Sequence, residues 1–118
     1  MEWPGRLETV GEVDVETSAA PEAPVHRTTI WAAVDGDEVY VRSLRGASGR
    51  WYRELRANPD AVLHVDGDAI PVRAVHAPDD DSVARATAGF RRKYASSPAL
   101  ESMIRDEIAD TTVRLEPR

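Results

Sequence analysis

The chain has 118 residues, 42% of them hydrophobic and 31% charged, a balance that suits one folded domain around a single core and excludes a disordered chain. A net charge of −6 argues against general nucleic-acid binding, which needs a surplus of Lys and Arg, and the absence of cysteine excludes disulfides, thiolate metal sites and cysteine nucleophiles. No apolar run approaches the roughly 20 residues that cross a bilayer, and the N-terminus lacks the basic and apolar stretches of a secretion signal, so a cytoplasmic protein without a membrane partner is expected.

One domain is expected over residues 1–118, with 1–8 flexible. Glu12 to Glu16 places its valines at every second position, the period of a half-buried strand. From Arg27 to Val34 a second strand is predicted, with Thr28, Ile30, Ala32 and Val34 on the core face and Arg27, Thr29, Trp31 and Ala33 on the other. Asp35-Gly36-Asp37 signals a turn, and Val39 to Arg42 reads as the returning strand of a hairpin, in which Val34 opposes Val39 and Trp31 opposes Arg42. Ser48 is a candidate N-cap for a short helix that Asn58-Pro59 stops. A second hairpin follows, with Ala61, Leu63, Val65, Ile70, Val72 and Ala74 on one face and a turn centred on Gly67-Asp68; Pro71 suits an edge or a bulge. Asp79, Asp80 and Asp81 open a helix with Val83, Thr87, Phe90 and Tyr94 on one stripe, and Arg91, Arg92 and Lys93 near its end agree with the helix dipole. Ser97-Pro98 starts another helix, and Thr112 to Leu115 gives a closing strand.

Chemistry concentrates in one place. Arg42, Arg45, Arg50, Arg53 and Arg56 fall in a short stretch whose sole acid is Glu54, and a basic loop entering a helix start offers free N–H groups to a compact anion. The outer face of the first hairpin, with Trp31, Tyr40 and Arg42, either lines a planar ring system or is covered by a second subunit, and a Trp opposite an Arg forms a cation–π pair. His26, His64 and His76 have no short-spaced metal pattern, and Gly46-Ala47-Ser48-Gly49 is not a nucleophile elbow.

This order of elements predicts an α+β fold: a small split β-barrel of about six mainly antiparallel strands, a short helix after the first hairpin, and two helices before the last strand. Val41 to Gly46, Gly49 to Arg53 and Asn58 to Val62 resemble the strand–loop–helix–strand signature of split-barrel flavoproteins, both the pyridoxamine-phosphate-oxidase-like proteins and the deazaflavin-dependent nitroreductases. Thr29-Ile30-Trp31, Tyr40 to Ser43, Trp51-Tyr52-Arg53, Arg92-Lys93-Tyr94 and Thr112 to Pro117 are similar to a domain-of-unknown-function family in that superfamily, DUF2255, across about residues 27–118. The resemblance implies FMN or a deazaflavin as cofactor, bound at a homodimer interface. It points to Ser48 and Arg50 for the cofactor phosphate, with Ser43 and Arg45 as second choices. Trp31 and Arg42 lie on the face where a ring would rest. The activity implied is hydride transfer to a small organic acceptor; a non-catalytic module for a flavin or other phosphorylated ligand, and a cofactor-free dimer, are the alternatives.

Overall fold

The computed structural model describes residues 3–118; Met1 and Glu2, which begin the segment expected to be flexible, lie outside the described residues. Seven strands form one antiparallel sheet: β1 (Val13–Thr17), β2 (His26–Ile30), β3 (Ala33–Asp35), β4 (Glu38–Val41), β5 (Asp60–Val65), β6 (Asp68–His76) and β7 (Val113–Pro117), in the order β2-β1-β5-β6-β7-β4-β3. Helix α1 (Arg50–Ala57) follows the first hairpin. Helices α2 (Asp80–Lys93) and α3 (Leu100–Ile104), with a 3-10 segment at Asp106–Thr111, precede the last strand. This is the expected α+β split barrel, and none of its helices among the described residues is long and apolar enough to cross a membrane.

The strand expected over Arg27 to Val34 is in fact two. β2 pairs with β1, whereas β3 pairs with β4, so these consecutive segments sit at opposite edges of the sheet. Only Trp31 and Ala32 separate them. Three Cα–Cα steps hold Ile30 and Ala33 within about 11 Å, and the sheet therefore has to curl until its edges meet. The first hairpin keeps its predicted register, with Val34 opposite Val39 and Gly36 at φ +62° in the turn. In the second, Asp66 and Gly67 both take positive φ, +49° and +85°, so Val65 pairs with Asp68 and Leu63 with Ile70. The predicted turn lay one residue later. The pairing moves by two residues, and an even shift leaves the same side chains on the core face. Pro71 precedes the first β6–β7 pair, Val72 with Pro117, so its missing N–H breaks no ladder.

The inner face of the sheet is filled, and the outer face is covered over β3 and β4. The inner face closes over Val15, Val39, Val41, Leu63, Val65 and Leu115, with Trp51, Tyr52 and Leu55 of α1 packed into the same core. On the outer side, Ala33 and Tyr40 pack with Ala86, Phe90 and Tyr94 of α2 and with Met103 and Ile108. This corrects the expectation that the outer face of the first hairpin is left for a ring or a subunit: Tyr40 is 1% exposed, beneath α2 of its own chain. The acidic triplet does open α2, with Asp79 as N-cap accepting from the Ser82 N–H at 3.0 Å.

Gly89 is what lets α2 approach so closely. A Cβ there would lie 2.9 Å from the Val34 carbonyl oxygen and 3.2 Å from the Ala33 Cβ. Gly89→Ala gains about 1 kcal/mol of helix propensity and loses about 2–3 kcal/mol, the upper part of the usual range, to overpacking against backbone that cannot move aside. Net destabilisation of about 1–2 kcal/mol is expected in urea unfolding. An unchanged midpoint would show that α2 does not bear on β3 as described.

Candidate anion-binding cleft at the start of helix α1

Beyond β4 the chain dives inward before it surfaces. Arg42 and Ser43 are each 1% exposed, whereas Leu44 and Arg45 are exposed. Gly46, at φ +68°, begins a 3-10 turn, Gly46–Ser48, which the Gly49 N–H closes on the Gly46 carbonyl at 3.2 Å. Gly49 is the N-cap of α1. It offers no side chain to the first-turn N–H groups, so that helix start has no side-chain cap. Ser48, predicted as the cap, lies one residue too early: it is held inside the turn, and its hydroxyl donates to the Arg45 carbonyl at 3.0 Å.

A cleft of about 630 Å³ opens at this helix start. Trp31, Arg42, Ser43, Arg45 and Arg50, five of the six residues predicted from the sequence, line it; Ser48 does not. The sequence reading missed Glu12, Thr28, Gly49 and Met103. Glu12 and Thr28 arrive from the β1–β2 edge, which curling of the sheet brings opposite α1, and no local pattern marks them.

The Ser43 hydroxyl oxygen is buried without a hydrogen-bond partner. Its backbone N–H is satisfied by the Thr111 Oγ1 at 3.1 Å. A Cβ on Gly49 would clash with the Ser43 Oγ, so glycine is what lets that hydroxyl pack against the start of α1. An uncapped helix start, an unpaired hydroxyl and two exposed arginines together form a donor set for a phosphate-like anion.

Arg42 plays a different part from the one its position suggested. Nε donates to the Thr112 Oγ1 at 2.9 Å, Nη1 to the Met103 carbonyl at 3.3 Å, and Nη2 to the Val83 carbonyl at 3.1 Å and the Thr87 Oγ1 at 3.0 Å. The guanidinium lies 5.6 Å from the Phe90 ring centroid, and burial pulls its pKa below the ordinary arginine value. The expected Trp31–Arg42 pair does not form, because the strand ends at Trp31 and Arg42 turns beneath α2. Trp31 instead stacks on Tyr94, with ring centroids 3.8 Å apart and planes 3° from parallel.

Tyr94 and Lys93, at the end of α2, fix the crossover that carries Trp31. The Tyr94 hydroxyl donates to the Gly11 carbonyl at 2.6 Å, and the Lys93 ammonium to the carbonyls of Leu7 and Ala32. Burial pushes the Lys93 ammonium down to about 8 and the Tyr94 phenol up to about 12.

The fold makes the chain a split barrel, and solved structures share that fold. The heme storage protein HutZ from Vibrio cholerae superposes with a TM-score of 0.71 at 14% identity, covering 96% of this chain and 84% of that one. A putative pyridoxamine 5'-phosphate oxidase from Listeria innocua gives 0.67 at 15%, covering 97% and 89%. An F420-H2 dependent reductase gives 0.66 at 13%, covering 90% and 94%. Residues 5–115 match the model of the bacterial family DUF2255, described as an uncharacterized protein conserved in bacteria, and the chain belongs to that family. No curated protein matches it.

Two outcomes follow from this geometry. An orphaned buried hydroxyl costs about 1–3 kcal/mol, so Ser43→Ala should leave stability unchanged or raise it by about 1 kcal/mol in urea unfolding; a clear loss would mean that the hydroxyl has a partner. Lys93 titrates at about 8 when folded against 10.5 ordinarily, so between those values the unfolded chain binds more protons. The penalty of burying its charge is present in full below pH 8, and stability should rise as pH climbs from 8 towards 10. That rise should be absent in Lys93→Met.

Proposed function

We propose that the cleft binds FMN or a deazaflavin, and that the protein transfers hydride between this ring system and a small organic acceptor. The observation that carries the reading is the unpartnered Ser43 hydroxyl beside Gly49 at the uncapped start of α1, with Arg45 and Arg50 on the same cleft. A cleft of about 630 Å³ suits a cofactor-sized molecule, since small-molecule sites run from about 300 to 1,000 Å³. The kinship in fold with an F420-H2 dependent reductase and a putative pyridoxamine 5'-phosphate oxidase supports the redox assignment.

When bound, such a ring supplies the redox chemistry itself, and the protein contributes position and electrostatics. Arg50, the first residue of α1, offers both its free backbone N–H and its guanidinium to the phosphate, and Ser43 adds a hydroxyl. Arg45 balances the remaining charge. Trp31, backed by Tyr94, gives a flat wall against which a planar ring rests, while Trp51 and Met103 exclude water from the inner end. Leu44, 50% exposed at the mouth, suits the homodimer that the family resemblance implies.

Charge-assisted hydrogen bonds contribute about 1.5–3 kcal/mol, so Arg50→Ala should weaken FMN or deazaflavin binding by about one to two powers of ten. Arg56→Ala removes equal charge at the other end of α1, where that side chain bonds the Tyr52 hydroxyl at 3.1 Å, and should bind as wild type. Titration followed by absorbance reads both. Absence of binding by the wild type would remove the proposal; binding without hydride transfer to any acceptor would leave a non-catalytic module.

A further inference from the structure

The walls of the cleft carry opposite charge. Arg45 and Arg50 stand on the side of the α1 start, while Glu12, from the β1–β2 edge, is the one acid in the lining among the described residues. The charge of Arg42, the third arginine there, is spent on interior oxygens. Glu12 is exposed and takes part in no ion pair among the described residues. The next acids along the chain differ: Asp14 accepts from the Thr29 hydroxyl at 2.7 Å and from Arg27 at 3.1 Å, and Glu16 meets His64 at 2.9 Å. Of these three acids, the one left without a cation is the one that lines the cleft.

The aromatic wall fixes where along the cleft Glu12 lies. Gly11, the residue before it, accepts from the Tyr94 hydroxyl at 2.6 Å, and Tyr94 stacks on Trp31. Burial first, and the Glu12 charge in addition, raise the Tyr94 phenol above its ordinary value, so the carboxylate is within electrostatic reach of that stack. Lys93, which ties down the same crossover, gives its ammonium to the Leu7 and Ala32 carbonyls instead. Charge balance then separates two ligand groups. The phosphate of FMN brings about −1.5 to −2, which Arg45 and Arg50 meet, and Glu12 keeps its negative charge at the other wall. An anionic group brought there is repelled, whereas a cation is held by a charge-assisted hydrogen bond. Resting on the cofactor reading above, we infer that the small organic acceptor bears a cationic nitrogen group, an amidinium or an ammonium, held by Glu12 beside the Trp31 wall.

The test uses three probes of one shape and different charge: benzamidine, benzamide and benzoate. Each is titrated into the protein with and without FMN or a deazaflavin, and binding is followed by calorimetry. Benzamidine should bind about three- to tenfold more tightly than benzamide at about 0.05 M salt, benzoate should bind most weakly, and the order should flatten near 0.5 M. Glu12→Gln should bring benzamidine down to the affinity of benzamide, while benzamide itself stays within about twofold. Glu8→Gln removes the same charge from an exposed position outside the cleft lining and should keep the wild-type order. Indifference to probe charge, or no binding of any probe by protein that has taken up a cofactor, would overturn the cation site and leave the cofactor cleft standing. A benzamidine preference that depends on Glu12, in protein that takes up neither cofactor, would uphold the cation site and overturn the cofactor reading alone.

Discussion

Arg42 takes a full positive charge into the interior, and no carboxylate among the described residues meets it. Its guanidinium is satisfied by neutral oxygens from three directions: Val83 and Thr87 of α2, Met103 of α3, and Thr112 at the entry to β7. Four bonds to four points make it a single tie between segments that are otherwise distant in sequence. An arginine suits this role because its rigid fork of five donors stays charged even when buried. A lysine would offer three donors from one point and would more readily lose its proton.

The cleft depends on that tie. By holding α3 and the start of β7 against the end of β4, Arg42 fixes where the chain emerges as Ser43 and Leu44. The Ser43 N–H then bonds Thr111, and Arg105 bonds the Leu44 carbonyl, so the loop before α1 is fastened on both sides. The opposite wall is fastened at the crossover, where Lys93 and Tyr94 hold the carbonyls of Ala32 and Gly11 and Tyr94 supports the Trp31 ring. The end of α2 therefore sets the position of an aromatic wall that belongs to another element.

Against these well-satisfied supports, the cleft itself is left under-satisfied. The Ser43 hydroxyl lacks a partner, the start of α1 lacks a side-chain cap, and Arg45 and Arg50 make no ion pair among the described residues. Each omission lowers the stability of the free chain. All three would be relieved by one kind of ligand, an anion with several oxygens, and their coincidence in one cleft is what gives the reading its weight.

The sequence by itself determined the alternation that built both hairpins, the acid-capped helix α2, the order of elements, and the basic loop that became the cleft. These are local properties: side-chain period, turn chemistry and cap residues act over a few positions, so they are legible without the fold. The family resemblance pointed first to Ser48 and Arg50, with Ser43 and Arg45 as second choices, and all but Ser48 line the cleft. Tertiary structure alone decided the rest. It broke one predicted strand at Trp31 to join the two sheet edges, turned Arg42 from a wall residue into an internal tie, and laid α2 over Tyr40. It also made Gly49 rather than Ser48 the cap, and it brought Glu12 and Thr28 across from another strand. Those outcomes depend on what lies opposite each residue once the sheet has curled, and that partner is set by closure of the whole barrel rather than by sequence neighbours.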